Sequence, residues 1–163
     1  MAEPQITHAL DAIRRMISLL RRSSRVTEGE FGIGSAQLFV LQQLAGAPVR
    51  SVNELAERTY THQSSVSVVV RRLVEQGLVE RRPAKDDRRR RELRLTRAGQ
   101  RLVARAPVPA QILLIEGLRT LAPSDLRALA DLLNRVVLQM GAAEEPPEML
   151  FAETPQRRAK RSR

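Results

Sequence analysis

The stretch THQSSVSVVVRRLVEQGLVERRPAKDDRRRRELRLTRAG, residues 61–99, decides the fold. Its first half places Val66, Val69, Val70, Leu73 and Val74 on one side of a helix and Gln63, Ser64, Ser67 and Arg71 on the other, with Gly77 as the stop. A helix face that merely meets solvent is commonly filled with Glu and Lys, whereas this one is short-chained and uncharged until Arg71. Leu78 and Val79 then open a short strand that runs through Arg82. Pro83 starts a charged turn, and residues 92–96 alternate with the period of a returning strand. The pair forms a hairpin with a basic tip. Between Arg81 and Arg94, eight basic residues (Arg81, Arg82, Lys85, Arg88, Arg89, Arg90, Arg91 and Arg94) against Asp86, Asp87 and Glu92 leave +5, half of the net charge of +10.

Upstream, Ser51-Val52-Asn53-Glu54 has the capping-box form, with Ser51 accepting from the Glu54 amide and the Glu54 side chain reaching back to the Ser51 amide. A short helix through Leu55 and Ala56 follows, and Thr61 is the expected cap of the next one. Before it, a helix runs from about Ser35 until Gly46 and Pro48 stop it. The first helix carries Ile6, Leu10, Ile13, Ile17 and Leu20 in alternating steps of four and three, until Gly29, Gly32 and Gly34 break the pattern. So narrow a seam suits either a dimer arm or an ordinary bundle helix. Downstream, residues 96–99 start a fifth helix, which Pro107 and Pro109 interrupt before Ile112, Leu114 and Leu118 resume. A last helix follows Pro123, with Leu126, Leu129, Leu133, Val136 and Met140 on one stripe. From Gly141 the chain turns to Glu and Pro and then to Arg157, Arg158, Lys160, Arg161 and Arg163, a tail expected to be disordered. That tail either adds salt-dependent affinity for a polyanion or is an inert solubilising end.

Composition agrees with packed helices. The 163 residues are 42% hydrophobic but only 2% aromatic, so the core must be Leu, Val, Ile and Ala. With no cysteine, disulfides, thiol chemistry and Cys-type zinc sites are excluded. His8 and His62 lie in separate elements without ligand spacing, and no Gly-rich phosphate loop occurs, so neither an enzyme nor a cofactor or metal site is expected. No apolar run approaches a membrane span, and the chain reads as soluble and cytoplasmic.

Two short helices joined by a tight turn and followed at once by a basic hairpin make the winged helix-turn-helix layout. The fold class is therefore mainly α with a small β-hairpin wing. A helix fits the major groove, where Gln pairs with adenine edges and Ser serves several bases, while arginines neutralise phosphates. The run Ser64-Ser65-Val66-Ser67, then Arg72-Leu73, Gly77-Leu78-Val79-Glu80-Arg81, Asp87-Arg88-Arg89 and Leu95-Thr96-Arg97-Ala98-Gly99 resembles the MarR family of bacterial transcriptional regulators, over about residues 6–140. The resemblance implies a homodimer built from the first and last two helices, with the recognition helix in the major groove of double-stranded DNA and the wing arginine in the minor groove. Many members of the family repress transcription and release DNA when a small phenolic or other anionic effector binds between dimer and reading domains. Where members often carry Arg, this chain has Val68, which suits thymine methyls.

The division expected is a dimerisation helix and linker over 1–34, the reading head over 35–99, dimerisation helices over 100–141 and the charged tail over 142–163. The candidate DNA-binding residues are His62, Gln63, Ser64, Ser65, Ser67, Arg71, Arg72, Arg88, Arg89 and Arg90, with Asp87 orienting the wing arginines by charge-assisted hydrogen bonds. His62 is alternatively a pH-dependent donor or simply exposed. Ile6, Leu10, Ile13, Ile17, Leu129, Leu133 and Val136 are the candidate dimer interface. Two other classes fit the same charge and layout: a non-specific architectural DNA binder, and a winged-helix module for protein interaction.

Overall fold

The computed structural model describes residues 3–83, 91–141 and 149–150. Among the described residues, seven helices and one hairpin follow in the order α1 (Glu3–Phe31), α2 (Ser35–Gly46), α3 (Val52–Thr59), α4 (Gln63–Glu75), β1 (Val79–Pro83), β2 (Arg91–Leu95), α5 (Arg97–Arg105), α6 (Ala110–Arg119) and α7 (Pro123–Gln139). It is the mainly α architecture with a two-stranded wing that the sequence implies.

The core is organised around α2. Its Leu38, Phe39, Val40, Leu41 and Leu44 are all buried, so the helix is apolar nearly all round and can exist only inside other elements. It packs against α1, α3, α4, α5 and β2. At its start the Gly34 amide donates to Gln37 Oε1 at 2.9 Å, and Gln37 Nε2 donates to Gln76 Oε1 at 2.9 Å, joining the beginning of α2 to the end of α4.

Local chemistry sets the reading elements. Ser51 Oγ accepts from the Glu54 amide at 3.1 Å, as the capping box requires, but the Glu54 carboxylate accepts from the Arg50 amide at 2.7 Å instead of from Ser51. The reach-back is one residue longer than expected, and the carboxylate is shared: Oε2 meets the Arg50 amide while Oε1 holds Arg58 at 2.6 Å. The α3–α4 turn is made by Tyr60 in the left-handed region (φ 53°), whose amide bonds back to Ala56 and Glu57. Thr61 is not the cap of α4: its hydroxyl donates to Thr59 O at 2.9 Å, and His62 occupies the N-cap position without a side-chain cap bond. At the other end Gly77 takes φ 69°, which lets Leu78 N–H return to Leu73 O at 2.9 Å and sends the chain into β1.

β1 and β2 pair antiparallel, with Val79 opposite Leu95 and Arg81 opposite Leu93. Val49 adds a short third edge that the sequence did not signal, exchanging backbone bonds with Leu93 at 2.8 and 3.2 Å. Thr96 Oγ1 accepts from Gly99 N–H at 3.1 Å and donates to Gly77 O at 2.7 Å, so one hydroxyl caps α5 and ties it to the end of α4.

The helix α1 continues through Gly29, where the sequence suggests a break: the glycine meets open space and costs only its intrinsic propensity. Only Leu20, Ser24 and Thr27 of α1 are buried, and no residue of α7 is. The interruption at Pro107 and Pro109 is present, and Ala110 N–H donates to Ser23 Oγ at 3.1 Å to seat α6 on α1. The expectation of a disordered tail over 142–163 lies outside the described residues except at Met149 and Leu150, where Met149 is buried. Among the described residues no helix is long and apolar enough to cross a membrane.

Two outcomes follow from this packing. A Cβ at Gly99 would press into the carbonyl of Leu78, which is backbone and cannot swing aside. Gly99→Ala should therefore destabilise by about 1–3 kcal/mol, whereas Gly29→Ala, in open space within a helix, should stabilise by about 0.5–1 kcal/mol; chemical denaturation of both variants checks the pair. The backbone hydrogen bond from Arg50, opposed by desolvation and aided by the Arg58 charge, holds the Glu54 carboxyl below its ordinary value. A depressed folded pKa contributes stability that is present above the unfolded value and lost as pH falls through the folded one. Acid titration of unfolding should accordingly show a loss below the usual carboxylate range that Glu54→Gln removes.

Candidate nucleic-acid interface

The four buried residues of α4, Val66, Val69, Val70 and Leu73, fix its rotation about its own axis. With about 3.6 residues per turn, Ser64, Ser67, Val68 and Arg71 then form the centre of the opposite face. Gln63 lies on one flank of that face, and Ser65 and Arg72 lie on the other. Gln63, Ser64, Val68 and Arg71 are exposed, whereas Ser65, Ser67 and Arg72 are half-buried. Six of the sequence-derived candidates on α4 are thus brought to one surface, with Val68 in its middle. His62 is exposed at the N-terminal end of the helix, where the amide dipoles favour an anion.

The wing follows α4 directly, and β1 packs against that helix. Arg82 pairs with Glu80 at 2.7 Å and Arg94 with Glu92 at 2.7 Å, so two of the cations that the sequence assigns to the hairpin are neutralised within its stem. Arg81, between Glu80 and Arg82 on β1, is exposed. Asp87, Arg88, Arg89 and Arg90 lie outside the described residues.

A second feature joins the reading helices to α6. Arg119 Nη2 donates to the Tyr60 hydroxyl at 2.8 Å, and its guanidinium carbon lies 5.7 Å from the ring centroid. That hydrogen bond raises the Arg119 pKa further above its ordinary value. Beside it a cavity of about 290 Å³ opens between the α3–α4 turn and α6, lined by Phe39, Tyr60, His62, Gln111, Ile115 and Met149 among others. Sequence reasoning did not place Tyr60, Arg119, Gln111 or Met149 in any site. Their meeting depends on how α6 crosses the turn, and the only local hint was the short apolar run Met-Leu-Phe at 149–151 in an otherwise acidic, proline-containing segment.

The apolar seams at both ends of the chain remain uncovered. Ile6, Leu10, Ile13 and Ile17 on α1 are 37–56% exposed, as are Leu133 at 47% and Val136 at 54% on α7, with Leu129 half-buried. No group of three or more His, Cys, Asp or Glu side chains among the described residues could hold a metal ion.

Comparison with known proteins places this geometry. Residues 31–90 match the sequence model described as MarR family. No curated protein matches the chain in sequence. Among solved structures, a MarR family transcriptional regulator from Streptomyces coelicolor, in complex with DNA, is similar at 23% identity with a TM-score of 0.56, over 91% of this chain and 97% of that one. Wild-type MarR from E. coli, in its apo form, is similar at 24% identity and a TM-score of 0.51, over 78% of this chain and 95% of that one. A MarR/EmrR family transcriptional regulator from Acinetobacter is similar at 21% identity and a TM-score of 0.52, over 86% of this chain and 98% of that one. The resemblance carried by the recognition-helix and wing motifs is thus borne out: residues 31–90 hold the sequence pattern of the MarR family, and the chain around them has the fold of its transcriptional regulators.

Proposed function

We propose that the protein is a sequence-specific DNA-binding transcriptional regulator that acts as a homodimer on a pseudo-palindromic operator. The observation that carries this reading is the outer face of α4, small and uncharged at Ser64 and Ser67, beside a hairpin rich in arginine. A solvated face has no need of that chemistry, whereas a major-groove helix needs close approach first and hydrogen bonds second. Gln63 and the serines read base edges, Val68 meets thymine methyls, Arg71 and Arg72 meet phosphates, and Arg88, Arg89 and Arg90 enter the adjacent minor groove under the orientation of Asp87. The S. coelicolor regulator of similar fold was solved with DNA, which favours this reading over a protein-interaction module.

The uncovered seams supply the second subunit. Aliphatic side chains this exposed on two terminal helices are stable in water when a matching surface covers them, and a two-fold pairing of α1 and α7 does so. The dimerisation segments are then 1–34 and 100–141, flanking a reading head over 35–99. Two heads held at a set spacing read half-sites about one helical turn apart. A small effector, anionic or phenolic, that prefers another spacing releases DNA by the difference in its affinity for the two states, and the outcome is repression.

Binding to the DNA upstream of its own gene, with excess random DNA at a fixed physiological salt, tests the reading: retained, saturable binding is expected, and complete loss to competitor would point to an architectural binder. Gln63→Ala should change base preference by about 1–3 kcal/mol at one operator position, measured against single-base operator variants. Arg88→Ala with Arg89→Ala should weaken all sequences alike and reduce the salt slope by about one for each arginine–phosphate pair removed. Val136→Asp with Leu133→Asp should yield a folded monomer in sedimentation that no longer retains the operator.

A further inference from the structure

The turn that leads into the recognition helix is built on a residue that such a turn does not favour. Tyr60 stands at φ 53°, the one non-glycine with positive φ among the described residues, in a conformation that glycine or asparagine adopts at lower cost. Nor does its ring join the core, since Tyr60 is 67% exposed. What the side chain does meet is Arg119 of α6. Nη2 donates to the hydroxyl at 2.8 Å, and the guanidinium carbon lies 5.7 Å from the ring centroid, within reach of the attraction between a cation and a ring face. Tyrosine supplies both contacts, whereas phenylalanine would supply only the second and glycine neither.

The place of this pair in the fold gives it leverage. The helix α6 begins after Pro107 and Pro109, which have no amide hydrogen to donate, so no helical ladder carries the direction of α5 into α6. The near end of α6 is held: Ala110 and Gln111 are buried, and Ala110 N–H donates to Ser23 Oγ at 3.1 Å. Towards the far end Glu116, Gly117 and Arg119 are exposed, and a cavity of about 290 Å³ lies among Phe39, the α3–α4 turn, Leu114 and Ile115. Close-packed side chains fix the angle at which two elements cross, and a cavity does not. Arg119 lies about 14 Å along the helix from Ala110, at about 1.5 Å per residue. Its contact with Tyr60 therefore acts where the angle between α6 and the turn is least constrained by packing. Two residues on, His62 is the N-cap of α4, so what holds Tyr60 holds the start of the recognition helix.

We propose that Tyr60 and Arg119 are positioning residues for DNA reading: the clasp between them fixes the tilt of α4 against the dimerisation helices, and with it the spacing at which the two heads meet their half-sites. This rests on the DNA-binding reading above. The clasp acts through α4 and not through contact with a base. Because both side chains are exposed, it contributes little to stability, and its effect appears in the choice among operators.

Five full-length proteins test this: wild type, Tyr60→Phe, Arg119→Gln, the double variant and Arg119→Lys. Tyr60 is the chain's one tyrosine, so a fluorotyrosine label gives a single fluorine site per subunit. In the absence of DNA, Arg119→Gln should shift that resonance, and an unshifted one would show that the clasp does not form in solution. Denaturation midpoints should be the same for all five. Against the upstream duplex, Tyr60→Phe and Arg119→Gln should each bind about three- to tenfold more weakly than wild type. The double variant should bind no more weakly than either, and Arg119→Lys, which keeps a cation and a donor, should recover part of the loss. One base pair inserted between the half-sites should cost wild type more affinity than it costs the two single variants, a difference that a general loss of folding does not produce. A shifted resonance with wild-type affinity and spacing preference in the variants would reduce the clasp to a surface contact and overturn the proposal. A loss confined to the Arg119 variants would mean that the arginine meets phosphate itself, and would overturn it too. If wild type binds the duplex and these differences are absent, this inference alone fails; if wild type does not retain the duplex, the functional reading fails with it.

Discussion

The packing of α4 against α2 and α3 is the constraint on which everything else depends. Val66, Val69, Val70 and Leu73 are buried together with Leu38, Leu41 and Leu55, each burial worth about 1.5–3 kcal/mol, and this sets the rotation of the recognition helix. A turn of α4 about its axis would expose valines and bury Ser64 and Arg71 at the same time. The outward polar face is thus held by apolar contacts on the far side of the helix.

Around that packing, backbone chemistry distributes the remaining elements. Tyr60 bends α3 into α4, Gly77 bends α4 into β1, and Thr96 bonds both ends of the following junction. The wing is attached to the body through Val49 and Leu93, both buried, while ion pairs in its stem neutralise Arg82 and Arg94. In this way the base of the hairpin is held to the core. The opposite end of the molecule follows a different logic: α1 before Leu20 and the whole of α7 present apolar side chains that the monomer leaves uncovered.

Much of this was legible in the residues. The period-3.6 pattern of α4, the alternation in β2, the proline interruption before α6 and the stripe on α7 each follow from spacing that one element carries by itself. Two of the misses were matters of partner choice, and two were not. Glu54 took the Arg50 amide while its other oxygen held Arg58, Thr61 bonded backward to Thr59 and left His62 as the N-cap residue, and α1 ran on through Gly29 because nothing there opposed it. Val49 gave no strand signal, since one residue cannot show a period.

By itself the sequence determined the order of elements, the inward and outward faces of each helix and the sign of the charge on the wing, because periodicity, capping and net charge are local properties. Tertiary structure alone decided that Met149 returns to the end of α4, that Arg119 of α6 reaches Tyr60 in the reading turn, and that Gln111 is left with one unsatisfied oxygen among the described residues. Those contacts join residues tens of positions apart. Whether such residues meet depends on the angles at which α6 crosses α1 and the α3–α4 turn, which no window of the chain contains.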